Sequence, residues 1–344
     1  VELCEILVVG VAVGLALVTV LASTFFAALS GSAPATVSAI GSIMIPQMKK
    51  RGYANSFSAA VSACSGAIGV LIPPSIPFVV YSIVAKTSVA DMFIAGIIPG
   101  LMFSAGLMFV AYMISKKRGY VGKPKEQRKP LWIAFKDAIW ALFAPIIILG
   151  GIYTGAFTPT EAAVVAIVYS AIVGKFIYKE MTLKEILEAA KLTGQLNGIT
   201  MYGMGFSMTL GFFLAFQAIP QALLEAVLSV TTSKFFILLL LNLFLLFLGC
   251  FMDNIAATII LTPVLLPLMA KIGVNPIHFG IFLTVNLSIG FVTPPFGVNL
   301  NVASALTKVP ITTIAREALP LIAIMTVALM FITYFPVFSM LLLR

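Results

Sequence analysis

Two proline pairs inside long apolar segments constrain the fold of this chain more than any other feature. Pro73-Pro74 ends the stretch 68–74 and Pro294-Pro295 ends the stretch 289–295, and glycine is the second residue of each stretch. Proline removes a backbone donor and clashes with the preceding turn, so we expect a helix to break at each pair. In a bilayer, broken backbone is tolerated only where protein or a water-filled cavity satisfies its polar groups. Two such breaks in corresponding halves indicate the binding site of a transporter.

The composition indicates a helical membrane protein with many spans. Hydrophobic residues make up 61% of the 344 residues, charged residues make up 10%, and the mean hydropathy is +1.12. These values are typical of polytopic membrane proteins and not of a large soluble core. The net charge of +9 is concentrated in a few short loops, which indicates cytoplasmic loops and not contact with nucleic acid. We therefore expect an all-α polytopic protein in a lipid bilayer.

The first part of the chain, residues 1–115, is predicted to hold a re-entrant hairpin, a broken helix over 55–85 and an intact helix. The hairpin tip is predicted at 30–36, where small, polar and helix-breaking residues follow a long apolar run. The return arm over 37–48 would be about 18 Å long at the helical rise. A full crossing needs about 20 residues, so we expect the tip to lie inside the membrane.

The middle part, residues 116–234, is predicted to be a basic cytoplasmic loop followed by connecting and scaffold helices. Glu126 is the only acid among many Lys and Arg residues in that loop, which is a strong positive-inside signal. Residues 182–185 fit a capping box and open an amphipathic helix to Lys191, which is expected to lie along the membrane surface. A separate span is expected over 197–217.

The last part, residues 235–344, repeats the order of the first, with a hairpin tip at 252–258, a broken helix over 276–305 and a last helix. Three predicted crossings lie between the two parts, so the second part is expected to be inverted. Inverted repeats with discontinuous helices are typical of secondary transporters. The landmarks that recur at one fixed spacing are Pro46 with Pro267, Gly69 with Gly290, the two proline pairs, and Pro99 with Pro320.

Several kinds of chemistry are excluded or disfavoured. The sequence lacks Gly-x-x-x-x-Gly-Lys-Ser/Thr, which excludes ATP hydrolysis by that route. His278 is the only histidine, so metal sites with two histidines are excluded. No Gly-x-Ser-x-Gly nucleophile motif occurs. We therefore expect neither an enzyme nor a cofactor beyond a coupling ion.

The hairpin tips and the breaks carry the oxygen atoms that a hard cation such as Na⁺ needs. Unwound carbonyls and half-helix ends coordinate Na⁺ in other transporters with broken helices. Half-helix N-termini carry positive partial charge, which suits a substrate carboxylate. The first predicted ion site comprises Ser30, Gly31, Ser32, Thr36, Gly66, Gly69 and Pro73. The second comprises Asp253, Asn254, Thr258, Gly290, Thr293, Pro294 and Asn299. The predicted substrate-binding residues are Ser75, Pro77 and Gly297.

Each of these features also has a simpler structural explanation. The small residues at 30–36 could serve only close helix packing, each proline pair could be only a kink, and Asp253 could lie at a membrane interface. Recurrence at one spacing argues against simple kinks, and an acid predicted inside the membrane is functional by default. Among functions, the alternative is a channel with two re-entrant half-helices. A non-transporting scaffold would explain neither break.

Motifs along nearly the whole chain resemble those of one known family. They include Phe-Ala-Ala-Leu-Ser-Gly-Ser-Ala at 26–33 and Ile-Pro-Pro-Ser-Ile-Pro at 72–77. Together they resemble the large membrane subunit (DctM-like M subunit) of tripartite ATP-independent periplasmic, or TRAP, transporters. The other matching stretches are 41–46, 49–53, 95–100, 158–163, 280–281, 286–287 and 293–295.

This resemblance implies a sodium-coupled importer of organic acids in the bacterial inner membrane. It also implies two protein partners, a small membrane subunit and a periplasmic solute-binding protein that selects the substrate. The implied mechanism is an elevator, in which a transport domain with both hairpins slides against a scaffold. Subunits of this family have further scaffold helices before the position that corresponds to Val1. We therefore expect such helices to precede Val1 in this protein as well.

Overall fold

In the computed structural model, which describes residues 14–120 and 131–343, all regular secondary structure is helical. The predicted all-α class is therefore confirmed. Short 3₁₀ turns lie at Ala67–Val70 and Leu341–Leu343, and a π turn lies at Val173–Ile177. The helices are α1 Gly14–Ser30, α2 Ala33–Lys50, α3 Asn55–Gly66, α4 Ile76–Ala85, α5 Val89–Lys117, α6 Leu131–Tyr153, α7 Pro159–Ile172, α8 Leu183–Phe216, α9 Ile219–Val230, α10 Lys234–Gly249, α11 Asn254–Lys271, α12 Pro276–Gly290, α13 Val298–Thr307, α14 Ile311–Tyr334 and α15 Val337–Met340.

The two arms of the first predicted hairpin pack against each other, whereas those of the second meet mainly at their connection; both tips are shorter and both return arms longer than predicted. Only Gly31 and Ser32 separate α1 from α2, and α2 and α11 each have 18 residues. Each return arm is therefore about 27 Å long, so its length alone does not make it stop midway through a bilayer. The reason is local: Pro34 fits the first turn of α2, where proline is favoured, and Asp253 caps α11.

Both predicted helix breaks are confirmed. The helix α3 ends at Gly66, continues as the 3₁₀ turn, and becomes helical again only at Ile76. In the second unit α12 ends at Gly290 and α13 begins at Val298. The two proline pairs lie inside these breaks, and the peptide bond within each pair is cis.

The described helices are those of a multi-pass membrane protein. Four of them are long and apolar enough to cross a bilayer: α5, α7 with its π turn, α11 and α14. Shorter apolar helices are α1, α4, the part of α6 from Ala138, α10 and α12. Each half of a broken helix is too short to cross alone, so a crossing there needs both halves.

The middle of the chain differs from the prediction, because α8 is one continuous helix of 34 residues. The predicted surface helix and the separate span are its two ends. No proline interrupts it, and an interior glycine such as Gly194 costs only about 1 kcal/mol. The predicted basic loop beyond Tyr120 lies outside the described residues.

The capping box predicted at the start of α8 is confirmed. The Thr182 amide and hydroxyl donate to Glu185 Oε2 over 2.7 and 2.8 Å, and the Glu185 amide donates to Thr182 Oγ1 over 3.3 Å. The two bonds that the carboxylate accepts lower the pKa of Glu185, with the bond from the Thr182 amide as the main cause. The same arrangement joins Thr158 and Glu161 at the start of α7, as expected for an acid at a helix N-terminus.

The two units with broken helices are interlocked. The half-helix α4 of the first unit packs against α11 of the second, and the half-helix α13 of the second packs against α2 and α3 of the first. Large side chains buried in the resulting core include Phe57, Phe78, Tyr81 and Phe282. Both hairpins and both breaks therefore belong to one packed body.

Candidate functional site

The tip of the first hairpin closes on the first break through glycines. Gly31 has φ +60°, and a Cβ on it would lie 2.8 Å from the Pro74 carbonyl oxygen. A Cβ on Gly69 would lie 2.5 Å from Thr36 Oγ1 and 2.6 Å from the Ser32 carbonyl oxygen. Real Cβ atoms do not come so close, so only glycine allows the tip and the break to approach this far.

Side-chain and backbone oxygens converge at this tip. Ser30 Oγ and Thr36 Oγ1 are 2.8 Å apart, and the Thr36 hydroxyl donates to the Ser32 carbonyl over 2.8 Å. The side chain of Thr36 is fully buried. The structure therefore brings together the predicted residues Ser30, Gly31, Ser32, Thr36 and Gly69.

The break itself is held by Ser75, which is buried. The Ser75 hydroxyl donates to the Val70 carbonyl over 2.6 Å and accepts from the Phe78 amide over 3.4 Å. The Ile76 amide donates to the Gly31 carbonyl over 3.3 Å, and Pro77 has no amide hydrogen. Every amide in the first turn of α4 is thus already used. Ser75 and Pro77 therefore leave no unpaired amide for an anion at this helix N-terminus, and Pro73 lies buried in the break beside them.

The second hairpin closes on the second break in the same way. A Cβ on Gly290 would lie 2.1 Å from the Gly249 carbonyl oxygen. The Phe296 amide donates to the Cys250 carbonyl over 3.2 Å, which matches the bond from Ile76 to Gly31 in the first unit. The contact residues Gly249 and Cys250 were missed from the sequence because the tip was placed at 252–258. The sequence feature that could have identified this contact is a glycine at the end of an apolar run, Gly249.

The start of α13 differs from the start of α4. Gly297 has φ +32°, in the left-handed region. In this part of the structure the amides of Val298 and Leu300 donate no backbone hydrogen bond, whereas the Asn299 amide donates to the Phe291 carbonyl over 3.0 Å. Unpaired amides at a helix N-terminus can bind an anion; Val298 is half-buried and Leu300 is fully buried. Of the two predicted anion positions, only the one at Gly297 has unpaired amides.

The remaining residues of the second set lie on α11 and in the break. Asp253 is exposed, and its Oδ2 accepts from the Ile255 and Ala256 amides over 2.9 and 3.4 Å, so it caps α11. Thr258 and Asn254 are buried, and the Thr258 hydroxyl donates to Asn254 Oδ1 over 3.3 Å. Thr293 donates its hydroxyl hydrogen to the Ile289 carbonyl, and Pro294 is exposed.

Asn299 was predicted with the second set, but its side chain lies at the first break. Its Nδ2 donates to the Ala63 carbonyl over 2.9 Å and lies 3.3 Å from where a Cβ on Gly66 would be. Its backbone amide lies at the second break, as predicted, but fixed spacing along the chain did not reveal the packing between repeats that brings its side chain to the first. Asn299 Oδ1 is buried and has no hydrogen-bond partner among the described residues.

The oxygens at these tips and breaks come from hydroxyls, amides, one carboxylate and the backbone. Among residues 14–120 and 131–343, no group of His, Cys, Asp and Glu is arranged to hold a transition metal. His278 lies elsewhere, buried between Ser339 Oγ at 2.7 Å and the Thr333 carbonyl at 3.1 Å. Such oxygen sets suit hard cations rather than soft ones.

Comparison with known proteins identifies the family. A family model described as "Tripartite ATP-independent periplasmic transporter, DctM component" matches residues 2–338. The isethionate TRAP transporter permease protein DctMQ of Oleidesulfovibrio alaskensis is 46% identical over 95% of this chain, which spans only 52% of that relative.

Two other relatives are matched over more of their own length. The C4-dicarboxylate TRAP transporter large permease protein DctM of Pseudomonas aeruginosa is 42% identical over 95% of this chain and 77% of its own. The sialic acid TRAP transporter large permease protein SiaM of Vibrio cholerae is 38% identical over 94% of this chain and 76% of its own length. The resemblance of the motifs is therefore confirmed: the chain is a multi-pass membrane permease and not an enzyme, and it belongs to the DctM family of TRAP transporters.

Proposed function

We propose that this protein carries out sodium-coupled import of an organic acid across the bacterial inner membrane. The observation that supports this most is the paired closure of hairpin tips on helix breaks. In each unit a glycine in the break allows the hairpin tip to approach closely, and a backbone amide of the break donates a hydrogen bond to a carbonyl of the tip. Paired broken helices of this kind hold coupling ions in secondary transporters.

One Na⁺ is proposed at each tip. At the first tip Thr36 Oγ1 lies 2.8 Å from both Ser30 Oγ and the Ser32 carbonyl oxygen, which suits a cation that needs several oxygen ligands. Asp253 contributes to the second site through the tip that it caps. The first site comprises Ser30, Gly31, Ser32, Thr36, Gly66, Gly69 and Pro73, with Asn299 added. The second comprises Asp253, Asn254, Thr258, Gly290, Thr293 and Pro294.

The substrate carboxylate is proposed at the start of α13, next to Gly297. The unpaired amide of the half-buried Val298 supports this placement, and the first turn of α4, whose amides all donate hydrogen bonds, argues against the alternative. Ser75 and Pro77 then shape the first break and do not bind the anion. The relatives named above carry isethionate, C4-dicarboxylates and sialic acid in their names, and all three are acidic organic solutes.

The proposed mechanism is an elevator with inverted repeats. The interlocking of α4 with α11 and of α13 with α2 and α3 supports a single moving body that holds both ion sites. The helices α6 to α9 would form the scaffold. Large aromatic side chains on α8 are strongly exposed, among them Tyr202 at 76% and Phe212 at 75%, which suits a surface against lipid or another subunit.

Two protein partners are proposed, a periplasmic solute-binding protein and a small membrane subunit. The family description calls the transporter tripartite and periplasmic and names DctM as one component, which supports two further components. The isethionate relative is named DctMQ, and this chain spans about half of it, which supports a second membrane subunit joined to that relative.

The test is uptake into proteoliposomes that contain the native permease. Binding proteins specific for isethionate, for a C4-dicarboxylate and for sialic acid are added one at a time, each with its labelled solute. We expect saturable uptake with one of them, only when Na⁺ is present outside. Flux without any binding protein that rises linearly with solute concentration would instead support the channel.

A further inference from the structure

The half-helix α13 is pinned along α3 by asparagine side chains at both ends. Asn55 Nδ2, at the start of α3, donates to the Thr307 carbonyl at the end of α13 over 3.2 Å. Asn299 Nδ2, at the start of α13, donates to the Ala63 carbonyl near the end of α3 over 2.9 Å. The two helices are therefore antiparallel, and a part of the second repeat is fixed to the first.

Asn299 is in contact with both helix breaks. Its backbone amide donates to the Phe291 carbonyl over 3.0 Å, which closes the second break. Its side chain lies against the backbone of Ala63 and Gly66, where the first broken helix begins to unwind. A movement of this residue therefore changes the geometry of both breaks together.

One polar atom of Asn299 has no partner. The Ala63 carbonyl can only accept, so the amide nitrogen must face it and Oδ1 must point elsewhere. That oxygen is buried, in a side chain that is 0% exposed, and makes no hydrogen bond within the described residues. Buried acceptors are nearly always satisfied, so we expect an occupant that donates to it or is positively charged.

The fold by itself does not require a polar residue here. The residue at the corresponding position of the first repeat is Phe78, which is buried and packs against Gly96. The two positions therefore differ although the elements around them have the same order. The first repeat therefore has no counterpart of the Asn299 side chain, and only the second repeat reaches the other break in this way.

We propose that Asn299 is a positioning residue that couples the two ion sites. This inference rests on the proposed sodium-coupled function. Its Oδ1 faces the occupant of the first site while its amide holds the second break, so occupation of one site orders the other. Binding of Na⁺ at the two sites is then cooperative, with a coupling in the usual range of about 5- to 150-fold.

The experiment compares Asn299→Ala with Asn55→Ala. Both variants lose one bond from a side-chain amide to a backbone carbonyl between the same two helices, but Asn55 is remote from both breaks. The shift in thermal unfolding temperature of the purified native permease is measured against Na⁺ concentration, with choline replacing Na⁺, and uptake is measured in parallel. Asn299→Leu, of similar volume, serves if the alanine variant does not fold.

We expect a Hill coefficient for Na⁺ above 1 in the wild type and in Asn55→Ala. In Asn299→Ala and Asn299→Leu it should fall to about 1, with half-saturation raised about 5-fold or more. Wild-type cooperativity in the folded Asn299 variants would overturn the coupling, and so would an equal loss in Asn55→Ala. If neither the stability nor the uptake of the wild type depends on Na⁺, the proposed function and the coupling are both overturned.

Discussion

At the scale of single residues, the tightest constraints lie at the glycines of the two breaks. The sequence predicted that Gly69 and Gly290 would correspond, because both precede a proline pair at one spacing. It could not predict what each one faces. Gly69 faces a hydroxyl and a carbonyl, whereas Gly290 faces the backbone of Gly249, and that difference depends on packing between distant segments.

The first prediction concerns these glycines. In Gly290→Ala the new Cβ would lie 2.1 Å from a backbone oxygen that cannot rotate away, so the hairpin tip must move. Overpacking costs about 1–3 kcal/mol, and we expect uptake to fall about tenfold or more for this variant and for Gly69→Ala. Initial uptake rates normalised to the amount of inserted protein measure this. Gly194→Ala is the control, because nothing lies within 4 Å of its Cβ position; equal losses in all three variants would contradict the steric explanation.

The second prediction separates the cap from the charge at Asp253. Alanine removes the cap of α11, at a cost of about 0.5–2 kcal/mol, whereas serine keeps a capping oxygen without the carboxylate. We expect Asp253→Ala to raise the Na⁺ concentration for half-maximal uptake and Asp253→Ser to restore most of the loss. If the serine variant is as impaired as the alanine variant, the carboxylate itself binds the ion.

At the scale of helices, the proline pairs predicted the breaks correctly, whereas Pro34 and the small residues around it led to a predicted hairpin tip that is too broad. A proline pair cannot be accommodated in a helix interior, so both breaks were predictable. Pro34 sits in the first turn of α2, where proline is favoured, so the predicted broad tip shrank to two residues. Residue composition also could not show that α8 is continuous, since a helix persists through polar residues when nothing breaks it.

The third prediction concerns the breaks themselves. Replacing both prolines of a pair by alanine favours a continuous helix, because proline costs about 3 kcal/mol more than alanine in a helix interior. The unwound carbonyls would return to helical bonds, and the proposed ions would lose backbone ligands. We expect uptake to fall steeply in Pro73→Ala/Pro74→Ala and in Pro294→Ala/Pro295→Ala, with insertion unchanged.

The controls for the third prediction are Pro46→Ala and Pro267→Ala. Both prolines lie inside the return arms α2 and α11, at corresponding positions and several turns from the tips. Their replacement should stabilise a helix that already exists and leave uptake near wild type. Normal uptake in both double variants, combined with loss in these controls, would mean that the proline pairs are only kinks.

At the scale of the whole molecule, the interlocking of the two units is the feature that sequence could not supply. The fixed spacing of landmarks predicted two units with the same order of elements. It did not predict that α13 packs on α2 and α3, and this packing places the Asn299 side chain at the first break while its backbone amide stays at the second. Contacts between distant segments depend on shape complementarity, which a periodic pattern does not encode.

The fourth prediction tests the inverted arrangement. In a background whose three cysteines are replaced by serine, single cysteines are placed at Lys184 and Lys234, which are both exposed. An impermeant maleimide should label the position at Lys184 only from the cytoplasmic side and the one at Lys234 only from the periplasmic side. Labelling of both positions from the same side would contradict the inverted repeat.

The most direct test of the central claim, that the two tips couple Na⁺ to solute import, is a double-label flux measurement. Proteoliposomes with the native permease and its matching binding protein receive ²²Na⁺ and ¹⁴C-labelled solute together. We predict that both labels enter in a fixed ratio, that both fluxes saturate, and that each stops when the other species or the binding protein is omitted. Entry of ²²Na⁺ at an undiminished rate without solute, or of solute without Na⁺, would contradict the account.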